Sequence, residues 1–155
     1  MESTSWESNL YPTFARMVRV QTDLWNAIDH QLRERHSVSL AQYTPLEFIA
    51  ATEGCRVREI VVTLHITVGG ASKLVDRLVE AGHVERSAHP DDRRSAVLRV
   101  TRSGRHLLRA AAPTIEGLLQ ERLAGPLGVR SLASLDQALL RLEGADRPVA
   151  APRGA

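Results

Sequence analysis

Between Ile66 and Thr101 the order of residue types leaves the chain little freedom. Thr67 opens a run whose apolar residues, Leu74, Val75, Leu78 and Val79, recur at helical steps, and Gly82 closes it. A threonine hydroxyl takes up one of the orphan N–H groups of a first helical turn, and glycine enters the left-handed region that ends a helix without a Cβ penalty. Val84 to Ser87 and Ala96 to Val100 then read as strands. Val97 and Arg99 fall on one face of the second strand, and Leu98 and Val100 on the other. The linker His89-Pro90-Asp91-Asp92-Arg93-Arg94 is polar and turn-rich. Upstream, Val57 to Leu64 is a short helix with Val57, Ile60, Val61 and Leu64 inward, and His65-Ile66 makes the turn. The whole predicts a helix-turn-helix followed by a β-hairpin wing.

The flanks are helical. Phe14 to Arg35 places Phe14, Met17, Val18, Leu24, Trp25, Ile28 and Leu32 at three- and four-residue steps, with Pro12 near its start. At 1.5 Å per residue it is about 33 Å long, more than a small domain requires. Core packing explains it, and so does half of a dimer interface. Thr44-Pro45-Leu46-Glu47 reads as another helix start, with Thr as N-cap, Pro at the first position and Glu at the third. Its apolar face is Leu46, Ile49 and Ala50, and Gly54 ends it. Thr101 or Ser103 caps a helix carrying Leu107, Leu108, Ala111, Ile115, Leu118, Leu119 and Leu123. Pro113 inside it is expected to kink or divide it. Gly125-Pro126-Leu127-Gly128 breaks the chain, Ser131 to Leu142 is a final amphipathic helix, and a mobile tail is expected from Gly144. The division is thus an N-terminal helix (1–36), a winged helix-turn-helix unit (37–104), two C-terminal helices (105–143) and the tail (144–155).

The 155 residues fit one domain with appended elements. No run of apolar residues approaches a membrane span, the start is polar and acidic, and one cysteine forms no internal disulfide. These point to a cytoplasmic protein. Net charge is +2, unevenly spread. His65 to Arg105 holds eight Lys/Arg and five Asp/Glu; the remainder holds twelve and thirteen. The positive excess therefore lies in the helix-turn-helix and hairpin, as expected of a duplex binder. No nucleophile–base arrangement, phosphate loop or metal spacing stands out. His30 and His36 are six apart, as are His83 and His89, which is no helical ligand pair. No enzyme, cofactor or metal site is expected.

Leu74-Val75-Asp76-Arg77-Leu78, Gly82-His83-Val84-Glu85-Arg86, and Asp92-Arg93-Arg94 followed by Leu98-Arg99-Val100-Thr101 and Gly104 resemble the MarR family of bacterial winged helix-turn-helix regulators. The wing signature there is Asp-x-Arg, a strand ending Leu-Thr, then Gly; here Val100 replaces the Leu. His65 stands where Gly is commoner, and His tolerates the left-handed conformation better than most residues. The resemblance covers Phe14 to Leu142. It implies a mainly α fold with a small hairpin wing, flanked by N- and C-terminal dimerisation helices. It also implies a homodimer, most often a repressor, bound to a pseudo-palindromic duplex and released by a small aromatic effector. An activator or a redox-responsive regulator of the same fold is the alternative.

Particular residues then acquire expected roles. Thr67 leaves first-turn N–H groups facing a phosphate. Gly69 and Gly70 let the backbone approach the duplex, each at roughly 1 kcal/mol of helix propensity. Ser72 and Lys73 point to base edges, with a solvated helix face as the bland alternative. Arg77, one turn on, reaches a phosphate or a wing carboxylate. Asp76 holds the wing or helix through an arginine, and Arg86 meets a phosphate at the wing's base. The resemblance makes Arg94 the wing-tip arginine of the minor groove, oriented by Asp92, with Arg93 on the backbone. It implies an effector pocket from Phe14, Trp25, His30 and Tyr43. Cys55, with no activating neighbour beyond Arg56 and Arg58, reads as structural.

Overall fold

The computed structural model describes residues 9–88 and 96–145. The chain forms two compact units, Met1–Glu116 and Gly117–Ala155. The first unit opens with helix α1 (Tyr11–His36), whose first-turn Tyr11 N–H donates to Asn9 Oδ1 at 3.0 Å. Only Ile28 and Leu32 of α1 are buried. It stops at Ser37, in the left-handed conformation, whose N–H donates to the Arg33 carbonyl.

Helix α2 (Leu40–Ala51) corrects the expected start at Thr44. Its N-cap is Ser39, which accepts the Gln42 N–H while the Gln42 side chain accepts the Ser39 N–H. A carboxylate oxygen of Asp29 on α1 accepts the Leu40 N–H at 2.7 Å. Three orphan groups are thus met one turn before Thr44, and Pro45 lies inside the helix. There its ring is fully buried beside Leu40, Leu46 and Ile49, an apolar gain set against the backbone bond it removes. Ala50, expected on the apolar face, is exposed. The helix ends at Ala51, before the turn that Gly54 makes at φ +65°.

Helix α3 (Val57–Leu64) and helix α4 (Val68–Glu80) match the expected bounds. Glu59 reaches back to accept the Arg56 N–H at 3.0 Å, and Thr67 accepts the Gly70 N–H at 3.1 Å. His65 adopts φ +51°, the left-handed turn expected of it. Gly82 follows at φ +72°, and its N–H and that of His83 close the end of α4 onto Val79 and Leu78 carbonyls.

Strands β1 (Val84–Ala88) and β2 (Ala96–Val100) pair antiparallel, with Val84 opposite Val100 and Ala88 opposite Ala96. Leu98 N–H also donates to the Cys55 carbonyl at 2.8 Å, tying the hairpin to the approach to α3. Leu98 and Val100, expected on one face of the strand, share the face toward the core. Val97, on the other face, is also buried, while Arg99 is exposed. The core joins Leu46, Ile49, Cys55, Ile60, Ala71, Val75, Leu78, Val84, Leu98 and Val100.

Helix α5 (Arg102–Leu119) is capped by Thr101, which accepts the Gly104 N–H and donates to the Gly82 carbonyl. It runs across Pro113 without dividing there. A π-helical turn (Gln120–Ala124) follows. Helix α6 (Gly125–Ala145) departs from helical geometry at Gly128, within the expected break. Gly144 and Ala145, expected to open the tail, are helical; residues 146–155, where the rest of it was expected, lie outside the described residues.

Candidate nucleic-acid interface

Helix α4 has two faces. Ala71, Val75 and Leu78 are completely buried and fix its depth and rotation in the unit. Thr67, Gly69, Gly70, Lys73, Asp76 and Arg77 are exposed, and Ser72 is half-buried at the margin. The expected contact residues therefore lie along one open helix face, with Ser72 as the least available. Lys73 and Arg77, one turn apart, make no ion pair among the described residues. No atom lies within 4 Å of where a Gly69 side chain would begin, so that side of the backbone is bare.

Asp76 does hold an arginine, as expected: Arg86 of β1 donates to its Oδ1 at 2.7 Å. The bond links α4 to the first strand of the hairpin. It also engages the guanidinium expected on a phosphate, so Arg86 sits at the base of the wing as a strut. Its spacing of ten residues from Asp76 gives no helical or strand signal by itself. Asp92, Arg93 and Arg94 lie outside the described residues.

Val68 was absent from the expected contacts. It is the first residue of α4 and is 66% exposed. Its apolar type gives no signal of a contact in sequence, and the buried stripe of α4 begins only at Ala71.

The effector residues are not brought together within the first unit. Phe14 is exposed and packs on Tyr11, with ring centres 6.3 Å apart. Trp25 is exposed as well, and His30 lies 3.8 Å from Glu34 of its own helix. Tyr43 alone lines a cleft of about 280 Å³ between α2 and α5, with Thr44, Glu47, Ala112, Ile115 and Glu116. Starting α2 at Leu40 creates this wall, because residues 40, 43, 44 and 47 then share a helix face. Burial, then the Glu47 charge, raise the Tyr43 pKa, so it presents a neutral phenol. His36 Nε2 lies 2.8 Å from Thr114 Oγ1, fastening the end of α1 to α5.

Cys55 is fully buried. Burial, then the Glu59 charge, push its thiol up to about 11. Among the described residues no group of three or more His, Cys, Asp or Glu is placed to hold a metal ion, and no helix is long and apolar enough to cross a membrane.

Comparison with known proteins places this arrangement. A MarR family model matches residues 36–95. The HTH-type transcriptional regulator BilQ of Clostridium symbiosum is 30% identical over 71 residues, 46% of this chain; the chain spans about half (49%) of that relative. An uncharacterised HTH-type transcriptional regulator of Mycobacterium bovis is 30% identical over 112 residues, covering 68% of this chain and 78% of that protein. Among solved structures, a MarR family transcriptional regulator from Streptomyces coelicolor in complex with DNA superposes with a TM-score of 0.81 at 23% identity, over 98% of this chain and 94% of that one. A mutant MarR from E. coli complexed with operator DNA gives 0.78 at 22% identity, over 90% and 99%. At those identities the structures speak for the fold, while the M. bovis relative carries the likeness through most of both sequences. The chain belongs to the MarR family of DNA-binding transcriptional regulators.

Proposed function

We propose that the chain acts as a homodimeric repressor that binds a pseudo-palindromic operator and releases it when a small molecule binds. The observation that carries the reading is the open face of α4: Thr67, Gly69, Gly70, Lys73 and Arg77 are exposed on a helix whose opposite face is locked into the core. In the proposed complex this face enters the major groove. Lys73 reads a base edge, Ser72 assists from the margin, Arg77 meets a phosphate, and the Thr67 cap sets first-turn N–H groups toward another. Arg86, held by Asp76, positions the wing, whose Arg94, oriented by Asp92, enters the minor groove while Arg93 meets the backbone.

Two apolar faces support the dimer, one on each unit. Tyr11, Phe14 and Val18 are exposed at helical spacing on α1, and Leu135, Leu139 and Leu142 on α6. A second copy is the partner of this reading, with half-site centres about 34–36 Å apart. The M. bovis relative and BilQ are described as transcriptional regulators, and the two structural neighbours hold DNA. An effector in the α2–α5 cleft would act through unequal affinity for DNA-compatible and incompatible arrangements. The buried, raised-pKa Cys55 argues against a thiol trigger, and so against the redox-responsive alternative.

Quantitative duplex binding of two variants tests the division of labour. Arg94→Ala is expected to weaken every duplex alike and to lower the salt slope by about one unit. Lys73→Ala is expected to lose roughly 1–3 kcal/mol at one base pair of each half-site. Unchanged affinity and slope for Arg94→Ala removes the wing from the interface.

A further inference from the structure

Val68 is 66% exposed, while every other exposed residue of α4 is polar, charged or glycine. It lies at the first helical position, directly after the Thr67 cap. The following residue, Gly69, has nothing within 4 Å of its missing side chain. The valine methyls therefore stand beside bare backbone at the leading end of the helix. In helix-turn-helix complexes this leading end comes nearest the base edges, and the one apolar group on the major-groove edge of DNA is the thymine 5-methyl.

Resting on the DNA-binding reading above, we propose that Val68 is a specificity-determining residue that reads a thymine by packing against its 5-methyl group, once in each half-site. Lys73 and Arg77, exposed further along the helix, contribute charge and hydrogen bonds, and neither recognises a methyl group. Val68 adds a contact with no charge and no hydrogen bond. It separates thymine from cytosine, which lacks the methyl, and from uracil in the same pairing geometry.

The test starts with the full-length protein and a random-sequence duplex library, from which a bound site is selected. Each thymine of that site is then replaced by deoxyuridine, which removes one methyl and leaves base pairing intact. At one thymine per half-site the replacement is expected to weaken binding about fourfold, the equivalent of ~0.8 kcal/mol for one buried carbon. Replacement in both half-sites is expected to cost about fifteenfold. Val68→Ala, which keeps the Thr67 cap and the helix, is expected to bind with an unchanged salt slope and to be indifferent to deoxyuridine at that position. If deoxyuridine is neutral everywhere in the wild-type complex, or if its penalty persists undiminished in Val68→Ala, the inference is overturned and the DNA-binding reading stands. If no duplex is selected, that reading falls and takes this one with it.

Discussion

Replacing Gly104 by alanine separates the physical argument from simple helix propensity. Gly104 is buried at the start of α5, where a Cβ would meet the His83 carbonyl oxygen and Cγ1 of Val100 well inside van der Waals contact. The Val100 side chain can give a little. The His83 carbonyl is less free, because it accepts the Thr101 N–H at 3.0 Å, and Thr101 in turn holds the Gly82 carbonyl and the Gly104 N–H. Overpacking of this kind costs about 1–3 kcal/mol. Loosening the Thr101 bond adds about 1 kcal/mol, and the better helix propensity of alanine returns up to about 1 kcal/mol. The net loss is ~1–3 kcal/mol, a large share of the ~5–15 kcal/mol typical of a domain. At about 2–4 °C per kcal/mol for a chain of this size, the melting temperature is expected to fall by ~2–12 °C. Gly69→Ala is the control: its new Cβ meets nothing, so its melting temperature is expected to hold or rise by a few degrees. Circular-dichroism melts at one fixed protein concentration read both, since dimerisation makes the midpoint concentration-dependent. A Gly104→Ala protein melting at or above the wild type would refute the steric argument.

Other residues give separable signals. Cys55, with its thiol pushed up to about 11, is expected to react with a disulfide reagent at pH 8 at least ~100-fold more slowly than a free cysteine, and normally once denatured. Because its folded pKa is raised, the stability it contributes is present below the ordinary value of 9 and declines as pH rises toward 11; a native protein that reacts at the free-thiol rate contradicts its burial. At Asp29, burial raises the pKa, but the Arg33 and Leu40 hydrogen bonds outweigh it and lower the net value. Its contribution is therefore present above pH 3.8 and lost as pH falls through the lowered value, and Asp29→Asn is expected to flatten the acid limb of a denaturation profile. Arg86→Ala is expected to move the melting temperature by no more than ~3 °C, since the Asp76 pair is well exposed, while clearly weakening duplex binding. A large melting shift with normal binding would make the pair a stability element alone.

The parts of the fold legible in sequence are those whose signals are local. Thr67, His65 and Gly82 each carry an unambiguous cap or left-handed turn, and α3, α4 and the hairpin fall where these residues put them. At the start of α2 two local signals compete. Ser39 with Gln42 prevails over Thr44 with Glu47, assisted by Asp29 from another helix, a partner that no window around residue 40 contains. That displacement of five residues also hid the cleft, because Leu40 and Tyr43 join Thr44 and Glu47 on one helix face only when the helix starts at Leu40. The open face of α4 was legible from its period. Val68 was not, because periodicity gives an angle around the helix and not how far along it the core extends. The Asp76–Arg86 strut needed the hairpin folded against α4 before its two ends could meet.

The central claim is that α4 and the hairpin grip a specific duplex as part of a dimer. It is tested most directly by fluorescence-anisotropy titration of the protein with duplex from its own upstream region, against a scrambled duplex, at two salt concentrations. The account predicts tight, sequence-selective binding at two protomers per site that weakens steeply with salt. Weak binding, equal on both duplexes, would contradict it.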